Sequence, residues 1–161
     1  MLEKYALLFL RVSLGLLFMA HGAQKLFGWF GGLGLAGTAH WLATMGFKIP
    51  LFWTILGGGV ELIGGLLLVL GLLNPLGAIA VMSSMLVAIT KLTWSGGFWD
   101  ANGGIEFPLV LFIVLGVLAL LNSDPYSLDH YFRIKLPHLQ VFVIGLLIII
   151  LGTGIAIITS A

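Results

Sequence analysis

The sequence predicts an all-α membrane protein, a four-helix transmembrane bundle with one additional C-terminal transmembrane helix. Hydrophobic residues make up 60% of the 161-residue chain and charged residues only 8%, with a mean hydropathy of +1.18. A soluble domain of this size has too little interior to hide that much apolar surface. Five apolar stretches approach the ~20 residues needed to cross ~30 Å of hydrocarbon. The few charges are placed tellingly: Arg11, Glu61, Lys91 and Glu106 lie within or at the ends of those stretches. An ionisable group inside a membrane span is costly unless paired or set in a polar cavity, so each marks a candidate site. The ~10-residue alternation of a transmembrane β-barrel is absent.

The first span covers about Tyr5–Ala23. Glu3-Lys4 before an apolar run resembles a secretion signal, but no small-x-small cleavage site follows, so a retained helix is expected. From Gly22 to Pro50 the chain is rich in glycine and carries Phe27, Trp29, Phe30, Trp41 and Phe47. Such a segment suits the headgroup level, partly helical, and also suits a flap over a pocket mouth. The second span is Leu51–Leu70, and Gly71 to Pro75 makes a tight turn into the third, Leu76–Trp94. A second glycine- and aromatic-rich loop, 95–104, precedes the fourth span, Ile105–Leu121. The connection 122–138 is the most polar segment, and Leu139–Ile158 forms the fifth span. Residues 1–132 then form the four-helix domain and 133–161 the extra helix. Gly58-Gly59-Val60-Glu61 recurs as Gly103-Gly104-Ile105-Glu106. A parallel two-helix repeat would produce this, and would start the fourth helix near Phe98.

With five spans the N-terminus shares a side with 122–138, and Lys4, Arg11, Arg133 and Lys135 lie there against Lys25, Lys48 and Lys91 opposite. That bias places the N-terminus in the cytoplasm. A net charge of +1 gives no nucleic-acid footprint. The absence of cysteine excludes disulfides, thiolate metal sites and electron transfer through the protein's own thiols. His21, His40, His130 and His138 lack ligand spacing, so no metal or haem is expected.

Helical spacing brings Arg11, Gly15, Gly22 and Lys25 to one face, with His21 four residues before Lys25. In the second span Gly57, Glu61, Gly64, Gly65 and Leu68 share a face, whose small residues predict close helix contact and an inward Glu61. In the third, Ala80, Ser83, Ser84, Val87 and Lys91 form an inward stripe. By depth, an Arg11–Glu61 ion pair is expected near mid-membrane. His21, Lys25, Lys91 and Glu106 would then form a polar funnel mouth above it. Two readings stay open. The charges carry chemistry, or they neutralise one another and fix packing, with His21 anchoring and Lys91 reaching the headgroups. The fifth span reads as a packing or subunit-contact helix, compatible with a homo-oligomer.

The run Arg11-x3-Gly15-x2-Phe18-x2-His21-Gly22-x2-Lys25-Leu26-Phe27-Gly28-x2-Gly31-Gly32, followed by Gly37-Thr38, resembles the opening of the DoxX/DoxD family. Gly58-x2-Glu61-x2-Gly64-Gly65, Gly96-Gly97-Phe98-Trp99, Asn102-Gly103-Gly104-x-Glu106 and Tyr126-Ser127-Leu128-Asp129 extend the resemblance to about residues 6–132. The family comprises small four-helix inner-membrane proteins of bacteria and archaea. Its best understood members are similar to the large subunit of thiosulfate:quinone oxidoreductase, and others partner soluble redox enzymes. Family members usually carry a histidine near Lys91, and the span after Pro137 is additional to their four. The resemblance implies a membrane subunit of a quinone-linked oxidoreductase acting on a small sulfur compound or thiol. Glu61, Glu106 and His21 would manage protons, and Arg11, Lys25 and Lys91 would bind substrate. An anchor for a soluble redox partner is the alternative, and a small anion or weak-acid transporter a third reading.

Overall fold

The computed structural model describes residues 2–121 and 124–158, so positions 122 and 123 of the polar connection lie outside the described residues. Among these residues seven α-helices follow in order: α1 Leu2–Phe27, α2 Gly34–Thr44, α3 Pro50–Leu70, α4 Asn74–Val87, α5 Glu106–Leu120, α6 Leu128–Tyr131 and α7 His138–Ile158. A π-helical turn, Ala88–Leu92, prolongs α4. No strand occurs among the described residues.

Among the described residues four helices are long and apolar enough to cross a membrane: α1, α3, α4 with its π turn, and α7. The fourth expected span is shorter than the sequence suggested. α5 has 15 residues, about 22 Å at ~1.5 Å per residue, and so falls short of ~30 Å of hydrocarbon. The glycines before it are the reason. Gly97 and Gly103 take left-handed φ values of 76° and 72°, and Ile105 and Glu106 donate backbone hydrogen bonds to Gly97 and Phe98. The chain is folded into a compact loop there, so α5 does not begin near Phe98. The two Gly-Gly-x-Glu copies accordingly differ in structure, one within α3 and one at the start of α5.

α1 and α3 pack antiparallel along a seam of glycines. A Cβ on Gly15 would lie 2.6 Å from the Gly65 carbonyl oxygen, and one on Gly22 would lie 2.7 Å from that of Gly58. Neither backbone has room to retreat, so the seam fixes the register. Gly64 approaches Val81 and Gly77 of α4 in the same way. Gly64 and Gly65 thus meet the expectation of helix contact, but Gly57 does not: a Cβ there would meet nothing within 4 Å. α4 is the hub, packing on α3, α5 and α7. The buried core runs through Phe18, Leu68, Met82, Leu115 and Leu118. α7 lays one stripe on this body through Gly145, Ile149, Thr153 and Ala156, with Val141, Phe142 and Leu146 partly buried beside it, and exposes most of its remaining surface.

Gly15→Leu should lower the unfolding temperature in detergent, since forcing a side chain into backbone costs ~1–3 kcal/mol or more. Gly59→Leu, where a Cβ meets open space, should leave it near the parent value. Equal effects would show that the α1–α3 seam does not carry the packing.

Candidate functional site

Among the described residues two ion pairs occupy opposite ends of the bundle, one buried and one partly exposed. At the end shared by the N-terminus and the 124–137 segment, Arg11 is almost fully buried. Its Nε donates to Asp124 Oδ2 at 2.7 Å and its Nη1 to the carbonyls of Leu68 and Val69 at 2.9 and 2.6 Å. Its Nη2 reaches the Tyr126 carbonyl at 3.0 Å. Leu68 and Val69 belong to the last turn of α3, whose unpaired carbonyls carry negative partial charge, so a guanidinium is well matched to them. Gly71 makes the approach possible. Its φ is 61°, and a Cβ there would lie 2.5 Å from the Ser127 Cβ and 2.9 Å from the Arg11 Cζ. Asp129 completes this end by accepting from the backbone N–H groups of Leu73 and Asn74 at 2.8 and 3.0 Å. It therefore caps the start of α4 from a distant segment. On the outer side Tyr126 stacks on Tyr5, and a hydrogen bond with Tyr5 pushes the Tyr126 phenol above its ordinary pKa.

The expected Arg11–Glu61 pair does not form. The glycine seam puts Arg11 opposite the stretch around Val69, and helical side chains lean toward their own N-terminus. Arg11 therefore leans toward the end of α3 and away from Glu61, while Lys25 and Glu61 lean toward each other. Lys25 Nζ lies 2.6 Å from Glu61 Oε1, with Glu61 nearly fully buried and Lys25 about one-third exposed. The second oxygen, Oε2, is buried with no hydrogen-bond partner among the described residues.

A cavity of about 820 Å³ lies beside this pair, between α2, α3, α4 and α7. Of the six residues singled out from sequence, only Lys25 lines it. Its walls are otherwise apolar or small. Most of its hydroxyls are spent on backbone carbonyls: Thr54 on Pro50, Ser83 on Ala80, Ser84 on Val81. α2 closes one end with Trp41 and Leu42, joined by Phe47 and Trp53, whose rings meet edge-on at 6.0 Å. The loop expected to cover a pocket mouth is thus helical and does border the cavity. Thr38 ties α2 to α1 through a weak hydrogen bond to the Lys25 carbonyl, 3.4 Å.

The remaining residues lie on the same side of the bundle without joining the pair. His21 is half-buried beside Phe18, with ring centroids 6.4 Å apart. Lys91 sits in the π turn and makes no ion pair among the described residues. Glu106 Oε2 accepts from the Asp100 backbone N–H at 3.1 Å, which closes the loop before α5. No cluster of three metal-binding side chains occurs among the described residues. Ser127 and Asp129 stood in a family-like motif and Asp124 in the polar connection, but sequence reasoning assigned none of the three a role at a site. Asp124-Pro125-Tyr126-Ser127 has the composition of a turn, which was the available signal, but nothing local says that Asp124 meets a residue 113 positions away.

Fold and site define a multi-pass helical membrane protein with an apolar cavity and an ion pair at its edge. A protein-family model, DoxX, matches residues 6–94. That is more than half of the chain, which therefore belongs to the DoxX family. No curated protein and no solved structure matches it.

Breaking a buried pair from one side costs ~3–5 kcal/mol, so Arg11→Met and Asp124→Asn should each sharply lower thermal stability in detergent. The double variant should lose less than the two effects combined. Arg11→Met with Glu61→Gln should instead be additive, and a large coupling between those two would contradict the register described.

Proposed function

We propose that this DoxX-family protein is the quinone-binding membrane subunit of an oxidoreductase whose electron donor is a small sulfur compound or thiol. The observation carrying this reading is the ~820 Å³ apolar cavity with a lysine ammonium on its wall and a buried carboxylate behind it. Its volume lies in the range of small-molecule sites, which are mostly apolar with a few placed polar groups. A quinone fits that chemistry, since its ring and chain are apolar and its carbonyl oxygens accept hydrogen bonds. Lys25 would donate to one of them. Reduction of the quinone consumes two electrons and two protons. Lys25 is placed to deliver a proton, and Glu61 to hold the ammonium in position and exchange protons with it. The two electrons would come from two sulfur centres joining in an S–S bond. Having no cysteine, the chain would take them from bound substrate or from a partner subunit. As the family resemblance implies, the protein would lie in a bacterial or archaeal inner membrane, and the lysine and arginine bias would put its N-terminus in the cytoplasm.

A second reading, a membrane anchor for a soluble redox enzyme, draws support from Arg11. All of its donor groups are engaged within the chain, so this cation serves packing and not an anionic substrate.

The purified protein in lipid nanodiscs should bind a long-alkyl benzoquinone saturably. Losing a charge-assisted hydrogen bond worth ~1.5–3 kcal/mol should weaken binding about tenfold or more in Lys25→Met. Lys25→Met with Glu61→Gln removes the buried unpaired carboxylate and should keep the fold while showing the same loss. If the parent protein binds no quinone, the anchor reading stands in its place.

A further inference from the structure

The floor of the cavity is the small face of α4, formed by Ala80, Ser83, Ser84 and Val87. α3 and α7 flank this floor, each packed on α4, without a substantial interface between them. Phe52 and Leu56 of α3 and Ile148, Gly152 and Ile155 of α7 line the cavity, and all five are also exposed on the outer surface. Residues that face both a cavity and the exterior mark its mouth. This mouth is a slot between two apolar helices of membrane-crossing length, so it faces acyl chains. The end of the cavity nearer the loops is closed by Trp41 and Leu42 of α2 and by Phe47 just after it.

Two glycines border the cavity for no packing reason. A Cβ on Gly57 or on Gly152 would meet nothing within 4 Å, unlike one on Gly15 or Gly65. Glycine weakens a helix interior relative to alanine. At these two positions no neighbouring helix needs the space, and what glycine leaves is open volume in the slot. Gly59 and Gly154 are the natural comparison, since a Cβ on either also meets nothing within 4 Å but neither lines the cavity.

We infer that the slot between α3 and α7 is a lateral portal by which the cavity takes a membrane-borne ligand chain first from the lipid phase, with Gly57 and Gly152 setting its width. The occupant is the isoprenoid or alkyl chain of a quinone, a choice that rests on the function proposed above. The portal itself rests on the slot alone. α7, which lies beyond the matched family region, supplies one whole wall and so helps determine which chains are admitted. Chain burial offers apolar contact along the slot, while the head group meets Lys25 at the cavity edge.

The test uses the full chain in nanodiscs with Trp29, Trp94 and Trp99 replaced by phenylalanine. That leaves Trp41 and Trp53, both on the cavity wall, as reporters. A long-alkyl benzoquinone should quench their fluorescence saturably. Gly57→Phe and Gly152→Phe should weaken this about tenfold or more, as expected for overfilling a slot. Gly59→Phe and Gly154→Phe should change it by no more than about twofold. Gly57→Val and Gly152→Val should give smaller losses, which keeps the comparison decisive if a phenylalanine variant unfolds. Equal effects at all four positions, or none at Gly57 and Gly152, would overturn the portal. If the quinone fails to quench but a brominated phospholipid does, and the Gly57 and Gly152 variants block that quenching, the portal stands and the quinone reading falls.

Discussion

Arg11 is the residue on which one whole end of this bundle depends. A guanidinium held in the interior must have nearly all its donors engaged, because an unpaired buried charge costs several kcal/mol. Four oxygen groups from two distant parts of the chain meet that demand: two carbonyls ending α3, and the Asp124 carboxylate with the Tyr126 carbonyl. Satisfying Arg11 therefore docks the segment after α5 onto the α3–α4 turn. Asp129 then secures the same segment by capping α4. Each charge also meets the helix terminus of opposite polarity, the cation at the end of α3 and the carboxylate at the start of α4. The connection that read only as the most polar segment becomes part of the membrane body's framework.

The opposite end is organised differently. There the ion pair leaves one carboxylate oxygen without a partner among the described residues, and a cavity lies alongside instead of packed side chains. The contrast separates framework from candidate site. Arg11–Asp124 is saturated with hydrogen bonds and has both members buried. Lys25–Glu61 is partly exposed through Lys25 and keeps unused hydrogen-bonding capacity. Buried pairs often serve specificity of folding more than stability, and the first fits that role. The second has the features expected of a group that meets a ligand.

The glycine seam between α1 and α3 links the two ends. By bringing backbones into contact it permits few registers, and the register decides which charges meet. Side chains on antiparallel helices lean in opposite directions, so a pair close in depth by residue counting can diverge. Arg11 and Glu61 do so, while Lys25 and Glu61 converge. The same geometry accounts for Gly57. It shares a helical face with Glu61, Gly64 and Gly65, but past the seam that face looks onto the cavity between α3 and α7.

The sequence by itself determined the class of fold, because a chain with so much apolar residue and so little charge has only a bilayer to fold in. It also determined the α3–α4 turn, where glycine and proline act locally, and it singled out Arg11, Glu61 and Lys25 as charges requiring partners. Only the tertiary structure decided who those partners are, since pairing depends on helix register and side-chain direction, to which residue spacing within one helix is blind. It also decided the length of α5, shortened because the chain before it folds into a loop stabilised by its own backbone hydrogen bonds. The cavity was the least legible feature. It is a volume left between three helices that read as ordinary apolar spans and the segment that read as a headgroup-level loop, and no single segment carries a record of a space that four helices enclose.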